Sequence, residues 1–295
     1  MFWYAGRTDN LKPDNPMKLE RFDDPMTFRD AAASFLLKNE ALTNIIFGVV
    51  SDAIRGLYKR ECLWLIAKEG EAVVGVAMAT VPHPISIAHG SSAEAIVHLA
   101  KYATDWYPAD NDPLQFLCDA ETWSLIERGL PVEAFGERSV DFNQGVYEVT
   151  KVIWPRPVPG VMRLAGPDDA MLVGTWAHAF GLESMNRPAS SDPEKLLADG
   201  HKIVERGGMH LWQDGDDIVS MASSLGDTPT GIRISYVYTP PALRGQGYAS
   251  STVAHLTQKH FDCGKQRVFL FTDLSNPTSN RIYQAVGYKK IGELN

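Results

Sequence analysis

The chain has 295 residues, of which 44% are hydrophobic and 22% charged, enough for two cored domains of about 150 residues each. Its 28 basic and 36 acidic residues give a formal net charge of −8. That balance speaks against nucleic acid or an anionic membrane as partner, since both reward clustered Lys and Arg, and it leans toward a cationic or neutral substrate. The apolar run 45–50 falls far short of the ~20 residues that span a bilayer. The first residues lack the layout of a signal peptide. Cys62, Cys118 and Cys263 are few and far apart, which fits a reducing compartment with no disulfide framework and no zinc site. A soluble cytoplasmic protein is the expectation.

Residues 1–25 read as an arm or lead-in strand. Helices are predicted over 28–39 and 44–58. Strands follow at 63–67 and 72–80, joined by Lys68-Glu69-Gly70-Glu71, a hairpin signal. Pro82 and Pro84 close that sheet segment. A helix over 92–104, a buried strand over 114–118, a helix over 120–128 ending at Gly129 and a strand over 146–153 complete the first half. The aromatic residues Trp106, Tyr107, Trp123 and Phe135 read as its core. Three prolines and a glycine in 154–160 forbid helix or central strand and mark a linker, giving expected domains at 1–153 and 161–295.

The second half repeats the plan. Helices are predicted over 168–180 and over 193–206, the latter with Asp192 at the N-cap and Pro193 at the first helical position. Strands at 210–213 and 218–224 flank Asp214-Gly215-Asp216-Asp217, and another strand runs over 232–238. Glu69-Gly70-Glu71-Ala72-Val73-Val74 lies over Asp214-Gly215-Asp216-Asp217-Ile218-Val219 at an offset of 145 residues. Each copy is acid-Gly-acid before an apolar run, and each follows two predicted helices, so an internal duplication is expected.

The strand 232–238 stops at Pro240-Pro241 and gives way to Arg244-Gly245-Gln246-Gly247, then to a helix over 248–263 stopped by Gly264. A strand, a glycine turn and a helix N-terminus form an anion cradle, because unpaired backbone N–H groups, the helix dipole and the Arg244 charge converge there. A buried strand over 267–272 follows. Asn276 is then suited to N-cap a last helix with Pro277 at its first position and Gly287 as its stop. A dinucleotide fingerprint fits poorly, since Ser250 holds the third glycine position and only 22 residues follow Asp273. A P-loop lacks its Gly-Lys-Ser/Thr.

Two motifs carry a family resemblance. Arg244-x-x-Gly247-x-Ala249 resembles the acyl-CoA pyrophosphate loop of the GNAT superfamily of N-acetyltransferases. Asn276-x-x-Ser279-x-x-x-Tyr283-x-x-x-Gly287-Tyr288 resembles its second signature. The resemblance covers 161–295. The first half is similar in plan but has no such loop between Thr80 and Thr104. The implied fold is mixed α/β: two tandem GNAT-like domains, each a mostly antiparallel sheet flanked by helices, with one active site per chain.

The resemblance also implies roles. Acetyl-CoA would be the co-substrate, its pantetheine along Val237 and Tyr238 and its pyrophosphate on Arg244, Gly245, Gln246, Gly247, Tyr248 and Ala249. Ser250 would add a hydroxyl, and Asn276 a bond to the pantetheine. Tyr283 would be the general acid toward the leaving thiolate, as a phenol with an ordinary pKa near ~10 is protonated at neutral pH. Glu183, expected on a loop after the first helix of the second half, would be the general base toward a primary amine. Asp273, His210 or a water relay are the alternatives to it. No His/Cys spacing marks a metal site. A binding protein that kept the cradle without turnover is the rival to an N-acetyltransferase.

Overall fold

In the hairpin predicted around Glu69-Gly70-Glu71, successive side chains of β2 (Cys62–Glu69) point to opposite faces, and both faces are buried. Leu63 and Leu65 join one apolar cluster, and Trp64 and Ile66 join another. A strand buried on both sides needs a helical layer on each, and the sequence supplies both. The computed structural model describes residues 17–57, 61–108, 114–130, 143–185 and 187–294. Phe135 and residues 1–16 of the predicted arm lie outside them.

In the first half, β1 (Lys18–Phe22), β2, β3 (Ala72–Thr80), β4 (Ile85–Ile87) and β5 (Phe116–Leu117) form a sheet in that order. Three antiparallel pairings are followed by a parallel one. Helices α1 (Pro25–Leu36) and α2 (Glu40–Ile54) cover one face, while α3 (Ala93–Trp106) and α4 (Ala120–Gly129) cover the other. The run 25–54 is long and apolar enough to cross a membrane by composition alone. Here a 3₁₀ turn at Leu37–Asn39 breaks it, and Phe28, Leu36, Ile46 and Phe47 are buried in the first core.

The second half follows the same order. β7 (Val161–Leu164), β8 (Met209–Asp214), β9 (Asp217–Leu225), β10 (Gly231–Tyr238) and β11 (Arg267–Asp273) repeat the three antiparallel pairings and the parallel one. Helices α5 (Ala170–Met185) and α6 (Pro193–Arg206) precede the hairpin, and α7 (Tyr248–Asp262) and α8 (Pro277–Val286) flank β11. Asp192 and Asn276 cap their helices as predicted. Both hairpins even carry their register shift at the same place, Ala67/Lys68 and Trp212/Gln213, which is again the 145-residue offset.

The boundary between the halves is not where the proline-rich stretch lies. β6 (Gln144–Val149), assigned from sequence to the first half, pairs instead between β11 and β12 (Lys289–Leu294) in the second sheet, whose order is β12-β6-β11-β10-β9-β8-β7. The physical reason is burial: Val146 is buried on one face, and Tyr147 and Val149 enter the second core on the other. Residues 150–160 then cross from β6 to β7 at the far edge of the sheet. They are packed against it, with Trp212 Nε1 donating to the Pro159 carbonyl at 2.8 Å and Val158 against Trp212. Short strands at β1, β4, β7 and β12 escaped the sequence reading in whole or in part.

Helix α2 joins the halves. Its Glu40 accepts from the Thr230 N–H at 2.9 Å and from the Thr230 hydroxyl. Its Asp52 pairs with Arg206. A Cβ on Gly48 would lie 2.6 Å from the Gly226 Cα, so the backbones meet where only glycine fits. Because β6 supplies the partner for both β11 and β12, a fragment of residues 161–295 should be molten or aggregated. A fragment of residues 143–295 should keep the seven-stranded sheet. Near-ultraviolet circular dichroism and size-exclusion chromatography of the two check this.

Candidate active site

Strand β10 pairs with β11 only over Gly231–Ile234, opposite Arg267–Leu270. Beyond that point the two strands part. On its other side β10 shifts register against β9 between Ser235 and Tyr238. Tyr236 takes a left-handed φ of 52° at the bulge, and its ring is held against Phe180 at 5.3 Å. A non-glycine residue in that region is strained and persists only where packing fixes it. The bulge twists the strand away, so the backbone from Ser235 to Tyr238 loses its β11 partner and faces a wedge-shaped opening.

At the end of β10 lies the glycine turn. Gly245 has φ 79° and Gly247 φ 92°, conformations that glycine alone adopts without cost. Gly247 is the N-cap of α7 and has no side chain to satisfy the first N–H groups of the helix. Those donors and the helix dipole therefore stay available to an anion. The turn borders a groove of about 610 Å³. It brings together Val237, Tyr238, Arg244, Gly245, Gly247, Tyr248, Ala249, Ser250 and Asn276, with Glu183 and Tyr283. Gln246 is exposed and not part of the lining. Tyr248 contributes its backbone, because its hydroxyl donates to Asp214 Oδ2 at 2.8 Å, away from the turn. At the equivalent place in the first half, Ser92 Oγ accepts from the Ala95 N–H and caps α3 from within, and β4 is three residues long.

Glu183 is not on a loop. Helix α5 runs on past the predicted end at 180 to Met185, and Glu183 sits in its last turn. Its Oε2 accepts from Arg244 Nη2 at 2.6 Å and its Oε1 from the Tyr238 hydroxyl at 3.4 Å. Arg244 Nε donates to the Thr239 carbonyl at 2.8 Å, and its guanidinium lies 5.7 Å from the Tyr238 ring centre. Burial and the neighbouring Glu183 raise the Tyr238 pKa, and Arg244 partly offsets this.

Tyr283, on α8, is buried beside Tyr288, with ring centres 6.2 Å apart. No hydrogen bond engages its hydroxyl among the described residues, and burial pushes its pKa well above the usual tyrosine value. Asn276 Oδ1 accepts from the Ser279 N–H at 3.1 Å as the N-cap. A second cleft of about 460 Å³ lies between the halves, bounded by α2, β3 and β4 on one side and α5, β10 and β11 on the other. The two clefts share Glu183, Ser184, Val237, Asn276, Ser279 and Tyr283, so they meet where the strands part.

Of the weaker base candidates, Asp273 lines the inter-half cleft and accepts from the Ser275 N–H and hydroxyl. His210 lines neither cleft: Nδ1 meets the Gly208 carbonyl at 2.9 Å and Nε2 meets Lys259 Nζ at 2.6 Å. Sequence reasoning missed Asp52, Arg206 and Arg233 in the inter-half cleft. Arg233 left a legible signal, a lone charge between Ile232 and Ile234 in a buried strand.

The raised Tyr283 pKa predicts a titration. The folded value lies above the unfolded value of about 10, so its stabilising contribution is whole below that pH and lost as pH rises beyond it. Phenolate absorbance of native protein and of Tyr283→Phe should therefore coincide through the ordinary tyrosine range, and the substitution should flatten the alkaline loss of stability. A phenolate missing from the variant near pH ~10 would show the site to be solvated.

Comparison with known proteins fits this geometry. Residues 176–288 match the family model described as Acetyltransferase (GNAT) family. No curated protein matches the sequence. Among solved structures the chain is similar to a GCN5-related N-acetyltransferase from Sphaerobacter thermophilus, with 18% identity, a TM-score of 0.58 and coverage of 96% of this chain and 94% of that one. It is similar to a GNAT-family acetyltransferase from Colwellia psychrerythraea, with 11% identity, a TM-score of 0.54 and 94% and 97% coverage. It is also similar to a tandem GNAT protein from the clavulanic acid biosynthesis pathway, with 12% identity, a TM-score of 0.53 and 95% and 97% coverage. At these identities the structures speak for the fold, while the family model speaks for the second half. Residues 176–288 thus match the acetyltransferase (GNAT) family model, and the chain as a whole shares its fold with a tandem GNAT protein.

Proposed function

We propose that the protein is an N-acyltransferase that moves an acetyl or other short acyl group from acyl-CoA to a primary amine by direct attack in a ternary complex. The observation that carries this reading is the meeting of two clefts at Val237, Asn276 and Tyr283. One cleft ends in an uncapped helix N-terminus suited to a pyrophosphate. The other opens between the halves with room for an acceptor. The uncapped turn at Gly245 and Gly247 and the unpaired edge of β10 both fit acyl-CoA, which supplies an activated thioester.

In this reading the backbone of Val237 and Tyr238 aligns the pantetheine arm and polarises the thioester carbonyl. The first-turn amides of α7, Ser250 and Arg244 hold the phosphates. Arg244 is paired with Glu183 in the free protein, so a pyrophosphate competes for the guanidinium and leaves the Glu183 carboxylate to accept the amine proton. Tyr283 donates its proton to the departing thiolate. Burial keeps the phenol protonated, and with no hydrogen-bond partner among the described residues its donor is available. Three cysteines, few and far apart in the sequence, support a cytoplasmic location as part of this proposal.

Thiol release from acetyl-CoA over a panel of amines tests the proposal and separates it from cofactor binding without turnover. Tyr283→Phe should lower turnover by at least about tenfold, the low side of general-acid effects, with acetyl-CoA affinity unchanged. Arg244→Ala should weaken cofactor binding. Unchanged turnover in Tyr283→Phe would remove the phenol from the mechanism, and thiol release no faster with any amine than without would leave only the binding reading.

A further inference from the structure

Three carboxylates and three arginines line the inter-half cleft, but they are not all paired with one another. Each carboxylate that lines it already has donors. Asp52 is paired with Arg206 and lies 3.9 Å from Arg55. Glu183 is held by Arg244, and Asp273 by the Ser275 N–H and hydroxyl. Arg233 and Arg187 also line the cleft, and neither has a carboxylate partner among the described residues. Arg187 is exposed at the rim. Arg233 is set deep, on β10, with its guanidinium 5.2 Å from the centre of the Phe271 ring.

Arg233 carries five N–H donors in a planar fork. Among the described residues one side-chain hydrogen bond engages them, Nη1 to Asn44 Oδ1 of α2 at 2.8 Å. A half-buried arginine with no carboxylate partner among the described residues is costly, and the cost is felt in its proton affinity. Burial, and then the neighbouring Arg206, lower its pKa to about 10. The aromatic face and the asparagine fix the plane of the guanidinium while leaving donors toward the cleft. A planar fork held this way matches a carboxylate bidentately.

The position along the strand adds a distance. Val237, where the two clefts meet, lies four positions along the strand from Arg233. At about 3.3 Å per residue that is roughly 13 Å of strand, which the bulge and the reach of the arginine side chain shorten to the length of a small molecule. We infer that the acceptor is a small amine bearing a carboxylate, with the carboxylate on Arg233, assisted by Arg187 at the rim, and the amine directed toward Val237 and Tyr283. This rests on the transferase reading for the role of the amine end, but the anion site can be measured without turnover.

The test uses the full chain saturated with CoA. Glycine, β-alanine, 4-aminobutyrate and 5-aminopentanoate, each beside its carboxamide, are titrated by calorimetry, and the same compounds are assayed for thiol release with acetyl-CoA. The acids should bind and react at least about 30-fold better than their amides, as expected when an enclosed charge loses its partner. One chain length should be preferred. Arg233→Met should abolish that discrimination, Arg233→Lys should restore part of it, and CoA affinity should be unchanged in both. Arg187→Ala, at an exposed position, should lower the preference less and provides a readout if Arg233→Met does not fold.

Acids and amides that bind and react alike, or a preference for polyamines, would overturn the inference while leaving the transferase reading standing. Arg233-dependent binding of the acids with no thiol release from them or from any other amine of the panel would uphold the anion site and sink the transferase reading.

Discussion

The site depends on the parting of two parallel strands. Parallel pairing between β10 and β11 holds through Ile234 and Leu270 and then ends, because the bulge at Tyr236 twists β10 toward β9. Inside a sheet an unpaired edge is normally a liability, since its N–H and C=O groups need partners. Here the loss of pairing creates the place where one ligand can lie along backbone and a second can approach from the opposite side. The packing of Phe180 on Tyr236 fixes the strained residue. Helix α7 begins where β10 ends, so its uncapped N-terminus faces the same opening.

Duplication explains how the rest of the chain serves that opening. Both halves have the same strand order, pairing directions and hairpin register shift. They differ at the corresponding glycine turn. In the first half Ser92 satisfies the helix start internally and β4 is too short to offer an edge. What the first half contributes is surface and a strand. α2 docks through Glu40, Asn44 and Asp52, its face closing the inter-half cleft, and β6 sits inside the second sheet. The halves are therefore tied by backbone ladders as well as by side chains, and the cleft between them is a built feature.

The cleft does not share the negative balance of the whole molecule, since three carboxylates and three arginines line it. A net charge of −8 favours a cationic or neutral partner at long range. Within the cleft Asp52 and Glu183 pair with Arg206 and Arg244, while among the described residues Arg233 and Arg187 have no carboxylate partner. At contact distance, pairing and desolvation outweigh the screened field of distant surface charges. Composition therefore carries little information about the ligand of one enclosed site.

The sequence by itself determined the elements and the cradle. The hairpins at Gly70 and Gly215, the caps at Asp192 and Asn276, and the turn Arg244-Gly245-Gln246-Gly247 are all local. Each follows from backbone freedom or a side-chain cap within a few residues, and such signals survive in the order of letters. The tertiary structure alone decided what depends on distant neighbours. Strand β6 lies in the second sheet because its apolar faces find burial there, which no local pattern encodes. Glu183 falls in the last turn of α5 and is engaged by Arg244, 61 residues away. Arg233 was visible as a charge in an apolar strand, but that it meets no carboxylate among the described residues, and that α2 closes the space in front of it, are facts of packing.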